Sequence, residues 1–167
     1  MDKKLTLMIR LSELLFWFDE SLQASLAKAG YQPVSRSQSM FLLCVAAGEN
    51  RPSRLAERLG ISRQAVSHII ADLSQRGLIT LGTDTTDARG RIVEYSFDAQ
   101  DLRKAAHAAV SELDALLEHR IGAEAFQHLR DGLSPDWGEP AIIDLPPPSP
   151  KASGTKGTRK RRTSKTD

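Results

Sequence analysis

This chain has a single cysteine, Cys44, so no internal disulfide can form. Metal chemistry lacks its ligands too. His68, His107, His119 and His128 are scattered without ligand spacing, and no metal site is expected. No apolar run reaches the roughly 18 residues that a membrane span requires. The charged start at residues 1–4 leads into an apolar stretch. That stretch carries Arg10, Glu13, Asp19 and Glu20 and no small-residue cleavage site, so it does not read as a signal peptide. There is no nucleophile elbow and no phosphate loop, and nothing places Ser, His and Asp as a triad. No catalytic residue and no cofactor is therefore assigned. A reducing, cytoplasmic setting fits the cysteine usage.

What remains is an ordinary globular composition, 40% hydrophobic and 26% charged over 167 residues, with an uneven charge distribution. Residues 151–167 hold seven Lys/Arg against one Asp, a net of +6, which leaves residues 1–150 at −4. An acidic body can still bind DNA if its positive charge is gathered on one face.

The apolar periodicity predicts six helices and one hairpin. Met8, Leu11, Leu15, Phe18, Leu22 and Leu26 mark a helix over 5–29, with a second apolar line at Leu7, Leu14 and Trp17. Two stripes on one helix imply a second contact, with a partner chain. Further helices are expected over 37–47, from Ser53 as N-cap to Leu59, over 63–76 with Ser62 as N-cap, over about 98–121 with Asp98 as cap, and over 123–133. Leu78–Leu81 and Arg91–Phe97 read as strands joined by a polar turn, with Val93, Tyr95 and Phe97 on one face. Beyond Ser134 prolines and then Lys, Arg, Ser, Thr and Gly dominate. Residues 1–134 read as one domain and 135–167 as a disordered Pro-rich, then basic, tail.

The functional signal lies in residues 53–91. Leu55-Ala56-Glu57-Arg58-Leu59-Gly60-Ile61-Ser62-Arg63-Gln64-Ala65-Val66-Ser67 has the form of a helix-turn-helix. Ala56 is small where the helices cross. Gly60 supplies the positive φ of the turn. Ile61 plugs the angle, Ser62 caps the second helix and Val66 faces inward. Arg63, Gln64, Ser67 and His68 are then exposed at the helix start, and all can exchange hydrogen bonds with base edges in a major groove. A plain helical pair in a core does not need those four residues at one end, nor a charged hairpin directly afterwards.

With the following Val66–Leu73, Gly77-Leu78-Ile79 and the wing segment Asp84-Thr85-Thr86-Asp87-Ala88-Arg89, this stretch resembles the MarR (multiple antibiotic resistance regulator) family of bacterial transcription factors. The resemblance implies a mainly α winged helix-turn-helix with six helices and a small β-hairpin wing. It also implies a homodimer interlocked through its N- and C-terminal helices, binding a pseudo-palindromic duplex. Arg89 becomes the wing arginine for the minor groove and Asp87 its supporting carboxylate; Arg91, beside the wing, is a DNA-binding candidate by its own position, since an Arg side chain suits a phosphate or a narrow minor groove. Asp84 and Asp87 read as turn-forming or Arg-orienting. Phe16, Trp17, Phe18 and Phe41 read as core, while the resemblance adds a pocket for a small aromatic effector. Cys44 reads as a buried inert thiol. The tail's Arg159, Lys160, Arg161 and Arg162 are candidate phosphate contacts. The family departs here at Phe97-Asp98-Ala99-Gln100-Asp101, where its members often carry Thr and Gly, and the basic tail is an addition. Two other readings stand beside the regulator: a nucleoid- or plasmid-associated protein using the tail, and a protein-interaction module.

Overall fold

The structure is a computed structural model and describes residues 6–84, 90–133, 137–138 and 140–146. The chain divides into two units, Met1–Gly132 and Leu133–Asp167. In the first unit the order is α1 (Leu7–Lys28), α2 (Arg36–Ala46), α3 (Pro52–Leu59), α4 (Arg63–Gln75), β1 (Ile79–Thr83), β2 (Arg91–Tyr95), a 3-10 turn (Phe97–Ala99), α5 (Gln100–Ile121) and α6 (Ala123–Gly132). The described residues of the second unit form no helix or strand. No helix among the described residues is long and apolar enough to cross a membrane.

The core sits among α2, α3, α4 and the hairpin. Phe41, Leu55, Val66, Leu73, Ile79 and Val93 are its fully buried side chains. Each such burial contributes about 1.5–3 kcal/mol before the entropy of ordering is counted. Alternation sets the strand faces at the centre of the hairpin: Ile79 and Val93 point inward, while their neighbours Thr80 and Glu94 are exposed, and Thr83 and Arg91 are exposed where the hairpin leaves the core. The antiparallel register runs from Ile79 opposite Tyr95 to Thr83 opposite Arg91. Outside this core α1 packs along α5, and α6 packs on α5.

Several boundaries differ from the sequence expectation. α2 begins one residue earlier than expected, because Ser35 and Gln38 form a reciprocal capping box. Ser53 is not the N-cap of α3: Arg51 is, and Pro52 takes the first helical position. Proline's fixed φ and missing N–H suit that position, so the helix starts on it. β2 stops at Tyr95, and Phe97 is 82% exposed instead of lying on the strand face. Ser96 causes the break. Its hydroxyl accepts the Asp98 N–H at 3.2 Å and turns the chain into the 3-10 segment, so Asp98 donates within this turn instead of capping α5.

Candidate nucleic-acid interface

α4 is anchored at its back and C-terminal end and open at its start. At the turn before it, Gly60 has φ +63°, a conformation that costs a side-chain-bearing residue about 1–2 kcal/mol. The Ile61 N–H then reaches back to the Ala56 carbonyl at 3.1 Å, closing the turn over the buried Ala56. Ser62 is extended and its Oγ accepts the Ala65 N–H at 3.1 Å. Val66, Ile70 and Leu73 bury the inner face. At the far end Arg76 Nη2 donates to the Gln32 and Pro33 carbonyls at 3.0 and 3.1 Å, and Gln38 donates to Asp72.

The first turns of α4 therefore carry Ser62, Arg63, Gln64, Ser67 and His68 into solvent, all of them exposed. The unpaired N–H groups of a helix start add partial positive charge there, which favours a phosphate. Ser67 Oγ donates to the Arg63 carbonyl at 3.0 Å, so its hydroxyl is oriented along the helix.

Arg91 is exposed at the start of β2, opposite Thr83. Asp87 and Arg89 lie outside the described residues, as do Arg159, Lys160, Arg161 and Arg162. The base of the wing is described on both sides: the Asp84 N–H donates to the Gly90 carbonyl at 3.0 Å. Asp84 is buried, and its carboxylate meets Arg51 Nη2 at 2.8 Å. An Arg-orienting role was one expectation for Asp84, but its partner Arg51 was not foreseen. No local sequence signal joins two residues from separate elements in this way.

A second feature lies behind the interface. An apolar cavity of about 840 Å³ opens between α1, α2, β2 and α5, lined by Leu22, Met40, Leu43, Tyr95 and Leu102 among others. Asp19, Gln23, Arg103, Lys104 and His107 supply polar groups to its wall. The Tyr95 hydroxyl donates to the Leu42 carbonyl at 2.7 Å, and burial raises its pKa against the opposing charge of Arg103. Of the four aromatic candidates only Phe18 lines this cavity. Phe41 is wholly core, Phe16 lies under the Arg36 guanidinium, and Trp17 stands edge-on to Phe18 under Arg120. Cys44 is half-buried against the core. No His/Cys/Asp/Glu group among the described residues could hold a metal ion.

Helix, helix, helix-turn-helix, hairpin and long terminal helices together define a winged helix-turn-helix fold. Residues 32–90, which include the turn, α4 and β1, match the model of the MarR family. The fold is shared with several solved structures. A transcriptional regulator (MarR family) from Rhodococcus sp. RHA1 is 21% identical, with a TM-score of 0.54 over 75% of this chain and 88% of its own. CouR from Rhodococcus jostii RHA1, bound to p-coumaroyl-CoA, is 21% identical, with a TM-score of 0.57 over 80% of this chain and 96% of its own. NadR in complex with 4-hydroxyphenylacetate is 19% identical, with a TM-score of 0.60 over 80% of this chain and 93% of its own. No curated protein sequence matches the chain.

Proposed function

We propose that this protein is a non-enzymatic transcriptional regulator, a repressor that binds a pseudo-palindromic duplex operator as a homodimer and excludes polymerase. The observation that carries the reading is the exposed start of α4. There Arg63, Gln64, Ser67 and His68 stand clear of the core while Arg76 and Asp72 hold the other end of the helix. That arrangement inserts a helix N-terminus into a major groove, with Arg63 and Gln64 as the base readers and Ser62 at the backbone. Arg89, supported by Asp87, and Arg91 reach the adjacent groove from the wing. Arg159, Lys160, Arg161 and Arg162 add sequence-independent phosphate contacts from the basic tail in residues 135–167. The protein works in the bacterial cytoplasm, on the nucleoid when bound.

Dimerisation is supported by the apolar faces of α1 and α5. Leu7 and Met8 are 70% and 80% exposed, and Leu15, Phe16, Leu116 and Ile121 each about 40%, an unusual amount of large apolar surface for a folded chain to leave in water. The cavity supports a small aromatic effector, since two proteins of the same fold are bound to p-coumaroyl-CoA and 4-hydroxyphenylacetate in their structures.

Selection of bound genomic fragments, followed by gel shifts on the enriched and on scrambled duplexes over a salt series, tests the proposal. A palindromic enriched site with half-sites about 34 Å apart is the expected result. Equal affinity for scrambled DNA points to a nucleoid-type protein, and no binding at all to a protein-interaction module.

A further inference from the structure

The wing is tied to the start of α3 at two successive residues. The Val93 N–H donates to the Asn50 carbonyl at 2.8 Å, which fixes β2. The Arg51 guanidinium grips the Asp84 carboxylate at 2.8 Å, immediately after the end of β1. One residue thus holds each arm of the hairpin. Arg51 is suited to the task because its own backbone is committed. It is the N-cap of α3, its carbonyl accepts the Leu55 N–H at 2.9 Å, and Pro52 stiffens the next position. α3 packs directly on α4. The path from wing base to reading helix therefore runs through one rigid helix.

The charges make this pairing informative. On a DNA-facing wing a carboxylate is unfavourable, and a half-exposed arginine would serve affinity best on a phosphate. Here the Asp84 side chain is only 7% exposed and is met by an arginine that is 50% exposed. A buried carboxylate needs charged or hydrogen-bonding partners, and losing a charged one is costly.

We infer that Arg51, through Asp84, is a positioning residue for the wing: it sets the span between the wing base and the start of α4, and so the simultaneous seating of both in adjacent grooves. This rests on the DNA-binding reading above, and the experiment separates the two. Arg51→Ala, Arg51→Lys, Asp84→Asn and the double variant Arg51→Ala/Asp84→Asn are compared with the unaltered full chain. Binding to the selected operator is followed by fluorescence anisotropy, and hairpin amides by hydrogen exchange without DNA.

Asp84→Asn discriminates most sharply, because it removes a negative charge and is nearly isosteric. Electrostatics alone then predicts tighter binding, whereas the clamp predicts weaker binding. The expected loss is about tenfold for Asp84→Asn and for Arg51→Ala, the scale of one charge-assisted hydrogen bond. The double variant should be no weaker than either single one, and Arg51→Lys should recover part of the loss. In the absence of DNA the Asp84 and Val93 amides should exchange faster in both single variants. Unchanged or tighter operator binding by Asp84→Asn overturns the inference, as do losses that simply add in the double variant. A loss confined to Arg51→Ala makes Arg51 a phosphate contact instead. If the unaltered protein shows no operator preference, the DNA reading fails, and the exchange data alone decide the clamp: unchanged protection at both amides overturns it.

Discussion

The core around α2, α3, α4 and the hairpin contrasts with the pair α1 and α5. Phe41, Leu55 and Leu73 have no exposed surface at all. α1 and α5 are each 22 residues long, yet α1 buries only Asp19 and Leu26, and α5 only Leu113. The one buried polar residue on α1 is held across to α2, where Arg36 Nε donates to Asp19 at 3.1 Å. Similar apolar periodicity thus has two outcomes in one chain. The central segment satisfies its pattern internally. The terminal helices display more apolar surface than a single copy covers, and in the proposed dimer each would cover the other's.

The sharpest way to break the contrast is Phe41→Ala. Truncating a fully buried aromatic costs about 3–5 kcal/mol, and urea unfolding should show a loss of that size. A loss near zero would mean that the central core is not self-sufficient. Leu15→Lys with Leu116→Lys tests the other region. Sedimentation at micromolar concentration should change from two chains to one, and the melting temperature should lose its dependence on protein concentration. An unaltered monomer that is already well folded would remove the argument from the exposed stripes.

Smaller effects follow at the interface. Arg63→Ala or Gln64→Ala should weaken binding to the best site by about 1–3 kcal/mol and leave binding to random duplex nearly unchanged, as measured by paired titrations. Equal losses on both would reduce these residues to phosphate contacts. Arg89→Ala should weaken binding without shifting the melting temperature, whereas a sharp drop on heating would give it a structural role. The smallest change is expected from deleting 135–167. The fold and operator preference should persist. The log–log salt slope on random duplex should become shallower by about 0.9 for every phosphate that the tail neutralises in the full chain.

The sequence was most legible where chemistry is local. Gly60, Ser62, Ala56 and Val66 each have a role dictated by neighbours within four residues, and each takes it. Ser35 and Gln38 were equally readable as a capping box, and the expectation of a start at Ser37 passed over them. Pro52 outweighed Ser53 because a missing N–H favours the first helical turn more directly than a hydroxyl two residues into it. Phe97 followed a strand alternation that Ser96 had already ended. The ion pairs Arg36–Asp19 and Arg51–Asp84 join residues far apart in the chain, and neither charge pattern nor periodicity marks them. Asp87, Arg89 and the four tail cations remain proposals resting on pattern, because they fall outside the described residues.

The two serines at the start of α4 carry opposite polarity toward whatever they face. Ser62 Oγ uses a lone pair on the Ala65 N–H, and that bond leaves its proton to give. Ser67 Oγ spends its proton on the Arg63 carbonyl, which leaves it lone pairs to offer. In a major groove Ser67 then complements the exocyclic amines of adenine N6 and cytosine N4, and is a poor match for guanine O6 and N7 or thymine O4. Ser62 complements a phosphate oxygen or another acceptor. On the proposed DNA-binding reading, the back-bonded hydroxyl inclines Ser67 toward the amines of adenine and cytosine, a preference that the bare word serine does not contain.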